Sequence, residues 1–339
     1  MLNPTLVLCD NVTIINEIPH PFVGRTFLGV DQRTNNQVIC KMIPHSLFKC
    51  AQEQQRFVQR IRKLNDLKLD FVVPFVTIGV HHENMVFVRP FIKHPSLGDL
   101  IKTSSPLDSE VALSIFQKLC GCFAILADYG FSPCSIHPNN IFLLSQTKFL
   151  ITDLFEPSYD FLNNSNHVDK FRFAYLAPEY IDGSQKPGPH SDVWTLAIIL
   201  FVMCKGDFPW TMNNMCKMFN QITKDPQPDI SFCEEMNPIV LSIIRNCLVH
   251  DTAKRAMIDN IVTIEPPIEP STKLVRHSNI VTQSQIITQL PKVIIKQNAN
   301  TMRRSIPHII APSAGKLSYR KRVAPERSLT IQNPGEVIL

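Results

Sequence analysis

Short apolar runs alternate with polar punctuation over the first ninety residues. Residues 12–48 read as brief strands, with a turn at "DQRTNNQ" (31–37) before "VICKMI" (38–43). In "AQEQQRFVQRIRKLNDLKL" (51–69), Phe57, Ile61, Leu64 and Leu67 recur at helical spacing and predict an amphipathic helix. "VVPFVTIGV" and "NMVFVRPFI" predict two further strands. After about Pro90 the period becomes helical: "SLGDLI", then 109–130, then 191–204, with shorter helices up to about Ile258. The pattern thus predicts an α+β, bilobal domain over 11–258, with a small β-rich lobe (about 11–90) ahead of a larger helical lobe (about 91–258). Past Val262 periodicity gives way to "EPPIEPSTK" and "NANTMRRSIPHIIAPSAGK", so 259–339 reads as a disordered Pro/Ser/Thr-containing tail with short docking segments.

Composition and charge refine this. With 44% hydrophobic and 19% charged residues, the 339-residue chain has apolar surface enough to fold. No apolar run is read as reaching the roughly 18–20 residues of a membrane helix, and the longest, 195–204, reads as a buried helix, so no membrane partner is expected. A basic leader is missing from "MLNPTLVLCDN", which argues against a signal peptide. Ten cysteines without a C-x-x-C pair argue against zinc and for reduced thiols in a cytoplasmic or nuclear protein. Charge is uneven: residues 260–339 hold 11 Lys+Arg against 4 Asp+Glu, a net of +7, leaving the rest at 23 against 25, or −2. The tail therefore holds the basic charge, as "MRRS" ending at Ser305, a candidate phosphorylation site, and "RKR" at 320–322, a candidate import patch. Val337, Ile338 and Leu339 form a candidate docking motif, and the lack of interleaved aromatics argues against nucleic acid as a partner.

Five motifs then occur in a telling order: "VICK" with Lys41, "ITDLF" with Asp153, "YLAPEYI" with Glu179, "SDVWTLAIIL" with Asp192 and Trp194, and "CLVHDTAKRA" with Arg255. Together they resemble the signature set of a eukaryotic-type Ser/Thr protein kinase domain over about 11–258. The resemblance implies a bilobal kinase fold in which Glu179, Asp192, Trp194 and Arg255 are architecture, Glu179 pairing with Arg255. It implies that Lys41, Gly24, Asn140 and Asp153 would bind nucleotide, with Asn140 and Asp153 as the metal ligands for Mg2+.

Phosphoryl transfer also needs a phosphate cradle, an acid to fix the lysine, and a group to orient the acceptor hydroxyl. Here the chain departs from the family. The glycine-rich loop is replaced by Pro19-His20-Pro21-Phe22-Val23-Gly24, where prolines remove two amide donors and only Gly24 remains. Counting along the predicted helix puts Arg60 at the position of the acid that should pair with Lys41; Glu53 offers a shifted alternative, and a solvated Lys41 is a further one. "YGFSPCSIHPNNIFLL" aligns without gaps on the catalytic loop and puts Ser135 at the catalytic aspartate, His137 at the lysine and Cys134 at the arginine that would receive a phosphate. A hydroxyl is a poor base, and losing a general base typically costs about 10²–10⁴-fold in rate. His137 is the one substitute base in that loop. Leu154 and Phe155 replace Phe-Gly after Asp153, Phe171-Arg172-Phe173 replaces the substrate-docking Gly-Thr run, and Arg89 falls at the back of the adenine pocket.

Sites that touch phosphate or peptide are altered while sites that hold the fold are kept. The expectation is a catalytically impaired kinase-like protein, a pseudokinase, acting as a protein-binding scaffold or allosteric regulator in signalling. Its partners would be proteins, such as an active kinase or that kinase's substrate, with no cofactor assigned. Two alternatives stay open: a divergent active Ser/Thr kinase using ATP and Mg2+, resting on Lys41, Asn140 and Asp153, and a switch that binds nucleotide without turnover.

Overall fold

A computed structural model describes residues 7–8, 11–19, 24–134, 136–145, 148–154, 170–224 and 236–262. Ser135, Pro21, residues 155–169 and the tail beyond 262, with Ser305 and the two other tail motifs, lie outside the described residues.

The small lobe is a six-stranded antiparallel sheet of order β1-β2-β3-β4-β6-β5. Its strands are β1 (Val7–Leu8), β2 (Val12–Ile18), β3 (Arg25–Asp31), β4 (Asn36–Pro44), β5 (Thr77–His81) and β6 (Asn84–Pro90). The sheet therefore starts before residue 11, since Val7 pairs with Thr13. Helix α1 (Ala51–Asp66) crosses between β4 and β5 and buries Ile61 and Leu64. Successive side chains along β4 and β6 point to opposite faces of the sheet, and this alternation sorts them between two cores. Val38, Cys40 and Met42 of β4 join Val86 and Val88 of β6 in a small core on one face. Ile43, Met85 and Phe87 face the other way, into the main core. Lys41 and Arg89 share the parity of that second face. They are diagonal neighbours, since Arg89 pairs with Ile39, two residues from Lys41.

Gly24, just before β3, has φ 103°, and a Cβ there would run into the carbonyl of Met42. Backbone packing within the sheet is thus sufficient reason for glycine at this position.

The large lobe is helical: α2 (Leu97–Ser104), α3 (Ser109–Asp128), α4 (Lys170–Phe173), α5 (Pro178–Asp182), α6 (Pro189–Lys205), α7 (Met215–Thr223), α8 (Pro238–Cys247) and α9 (Ile258–Val262), with the short pair β7 (Ile141–Leu143) and β8 (Phe149–Ile151). Every residue of α6 from Ser191 to Met203 is buried. A helix apolar on all sides belongs at the centre of a lobe. Helix α3 corrects the membrane expectation, because its 20 residues are long and apolar enough to cross a bilayer. It buries Ala112, Ile115, Phe116, Leu119, Phe123 and Leu126, against α6 and α9. Reading only unbroken apolar runs missed it, since polar residues interrupt its exposed side.

The lobes are stitched together where β8 ends. The N–H of Ile151 donates to the carbonyl of Phe71, and the N–H of Val73 donates to the carbonyl of Ile151. That fixes residues 152–154 beneath β4 and β6.

Candidate functional site

Asp153 lies just past β8, with φ 58°, a left-handed conformation that aspartate tolerates better than most residues. Its side chain is completely buried, and so, within a few per cent, are those of Lys41 and Arg89. Arg89 Nε donates to Asp153 Oδ1 at 3.1 Å and Arg89 Nη2 donates to Oδ2 at 3.0 Å, a bidentate fork. Lys41 Nζ lies 3.0 Å from the same Oδ2. Thr152 Oγ1 donates to Oδ2 at 3.1 Å, and also lies 3.4 Å from the carbonyl of Asn140. One carboxylate thus holds two buried cations, both brought down from the small lobe by the alternation of β4 and β6.

Lys41 is therefore not a solvated strand lysine. Arg60 is exposed and turns the other way, donating to the carbonyl of Ser132 at 2.8 Å and lying 5.8 Å from the ring centre of Phe131. Glu53 accepts from the N–H of Lys49, close to the start of its own helix.

Farther down, Arg255 makes a second bidentate fork, on Glu179, at 2.7 and 2.9 Å. Ser191 donates to the same carboxylate, and the guanidinium lies over the Trp194 ring. Burial pushes the Glu179 carboxyl up, but the Arg255 hydrogen bonds and charge outweigh it and hold it below the usual range. Asp192, at the start of α6, accepts from the N–H of Cys134 at 2.6 Å. Burial pushes Asp192 up to about 8 against that hydrogen bond.

This arrangement, two lobes joined beside Asp153 with a Glu179–Arg255 fork below, is that of a known family. The protein kinase domain model matches residues 21–265, well over half of the chain. The chain belongs to the protein kinase family. Among relatives of this kinase domain, serine/threonine-protein kinase pkn2 of Myxococcus xanthus is 24% identical over 62% of this chain. The probable kinase IRE4 of Arabidopsis thaliana is 24% identical over 74%. The chain spans only 26% and 27% of those two relatives' own lengths. Rad53 (residues 1–466), solved in complex with AMP-PNP, superposes with a TM-score of 0.61 over 75% of this chain and 64% of that one, at 15% identity. That likeness speaks for the kinase fold.

Within this kinase domain, the catalytic loop is partly described. His137 is half-buried; its Nδ1 accepts from the N–H of Asn139 at 3.2 Å, so the ring caps the 3₁₀ turn at Pro138–Asn140. Its other side packs edge-on against Tyr175. Burial, with Arg172 adding to it, lowers the imidazole to about 4. A neutral ring already accepting at Nδ1 is a poor substitute base. Arg172 is buried in the short helix α4, where the family places its substrate-docking run. Ser135 lies outside the described residues.

Asn140 and Asp153, the family's metal ligands, are adjacent through Thr152. A divalent cation needs an oxygen lone pair at about 2.0–2.1 Å for Mg2+. Asp153 Oδ2 already faces three donors and Oδ1 a fourth. A divalent ion ~4 Å from a guanidinium would also meet a repulsion of roughly 8 kcal/mol at an effective dielectric of ~20. As arranged, these residues do not fit the metal.

Reasoning from the sequence brought Lys41, Asn140 and Asp153 to one place but missed how Arg89 takes part. The signal was an arginine in "NMVFVRPFI", at a strand position whose neighbours are all apolar. A buried cation requires a buried acid, and Asp153 was the candidate within reach.

Proposed function

We propose that this kinase domain works without phosphoryl transfer, as a module that binds other proteins in signalling, an active kinase or that kinase's substrate among them. One observation carries the reading. The carboxylate that would hold the metal of a metal–nucleotide complex is buried and engaged by Arg89, Lys41 and Thr152. Phosphoryl transfer depends on that metal to neutralise charge on the transferred group. The altered catalytic loop supports the same reading, with Ser135 at the base position and a neutral, capping His137.

A second reading, a divergent ATP-dependent Ser/Thr kinase, draws on the convergence of Lys41, Asn140 and Asp153 at one point. Its relatives are Ser/Thr kinases by name. The two part in a radiolabelled phosphotransfer assay on the purified full chain with Mg2+ and with Mn2+, against generic protein substrates and itself. The module reading expects incorporation no higher than for an Asp153→Asn control. Incorporation well above that control establishes the kinase.

A further inference from the structure

We propose that Arg89 is the resident cation of this site: its guanidinium stands at the coordination positions of Asp153 that a divalent metal would take, and it is the residue that keeps the metal out. The inference rests on the module reading above and deepens it, by assigning the exclusion to one residue rather than to general decay of the cleft.

Three observations separate Arg89 from its neighbours. First, among the described contacts of Asp153, Arg89 donates to both carboxylate oxygens, whereas Lys41 and Thr152 meet Oδ2. Removing it withdraws a charged donor from each oxygen at once. Second, the remaining pieces are in position. Thr152 keeps Asp153 beside Asn140, and Asn140 is buried and held by its own N–H donating to the carbonyl of His137. Third, the charge balance allows the change. Among the described contacts, Arg89 and Lys41 bring two positive charges to the negative charge of Asp153, so replacing Arg89 with a neutral residue keeps the Lys41–Asp153 pair. Removing Asp153 instead would set two cations against each other.

The backbone points the same way. Arg89 is the penultimate residue of β6, and its Nη1 also donates to the carbonyl of Pro90 at 3.2 Å. The guanidinium therefore folds back from the strand end toward Asp153. A methionine of similar length carries no charge to that position.

The test is a Mn2+ titration of the full-length protein monitored by electron paramagnetic resonance, which reads free Mn2+ directly and needs no catalytic activity. Wild type, Arg89→Met, Arg89→Gln and the double variant Arg89→Met/Asp153→Asn are compared, with circular dichroism and melting to confirm folding. Arg89→Gln keeps a donor for the Pro90 carbonyl and carries the same expectation should the methionine variant misfold. The expected result is no saturable site in wild type, one site per chain at millimolar Mn2+ in the single variants, and loss of that site in the double variant. Folded single variants that bind no Mn2+ overturn the inference while leaving the module reading in place. A saturable site already present in wild type overturns both.

Discussion

Arg89, Lys41 and Asp153 form a buried triad whose energetics are asymmetric. Taking charges out of water is repaid only while each keeps a partner, and removing one partner of a buried pair typically costs about 3–5 kcal/mol. Asp153→Asn leaves two buried cations facing a neutral amide, whereas Arg89→Met leaves one cation with one carboxylate. Urea unfolding should therefore show Asp153→Asn destabilised by roughly 3 kcal/mol or more, and Arg89→Met by clearly less. Equal losses would mean that Asp153 is not the shared counter-ion. In a working kinase the matching carboxylate must stay available to metal. Here Asp153 meets Arg89, Lys41 and Thr152 inside the protein.

At the scale of elements, the sequence was informative wherever periodicity is local. The α1 and α6 predictions lie within three residues of the observed ends, and β4 to within two, because an amphipathic stripe or an apolar run announces itself. The clamp was less legible. Strand parity places Lys41 and Arg89 on one face, but it is backbone ties between Ile151 and the 71–73 segment that help bring Asp153 under them. Contacts between elements distant in the chain leave no periodic signature. Helix α3 was legible as a helix over 109–130, but its apolar length was not, since its apolar face emerges only when residues three and four apart are grouped. The fork of Arg255 on Glu179 joins α5 to the loop before α9 and gives a pH prediction. Glu179 is held below its unfolded value of 4.5, so its contribution is fully present above that pH and is lost as pH falls through the folded value. Wild type should lose stability more steeply than Glu179→Gln on acidification below about pH 4.5. Parallel acid-unfolding curves for the two proteins would contradict the assignment.

At the scale of the whole molecule, the architecture of a kinase is kept. The Glu179–Arg255 fork, the Asp192–Cys134 hydrogen bond and the all-buried α6 maintain the large lobe. The triad joins it to the small lobe. The most direct measurement is isothermal calorimetry of the wild-type chain with ATP, with and without Mg2+. The account predicts no saturable, Mg2+-dependent heat at millimolar nucleotide. Saturable binding that requires Mg2+ and disappears in Asp153→Asn would contradict it, because the carboxylate would then be free to take the metal.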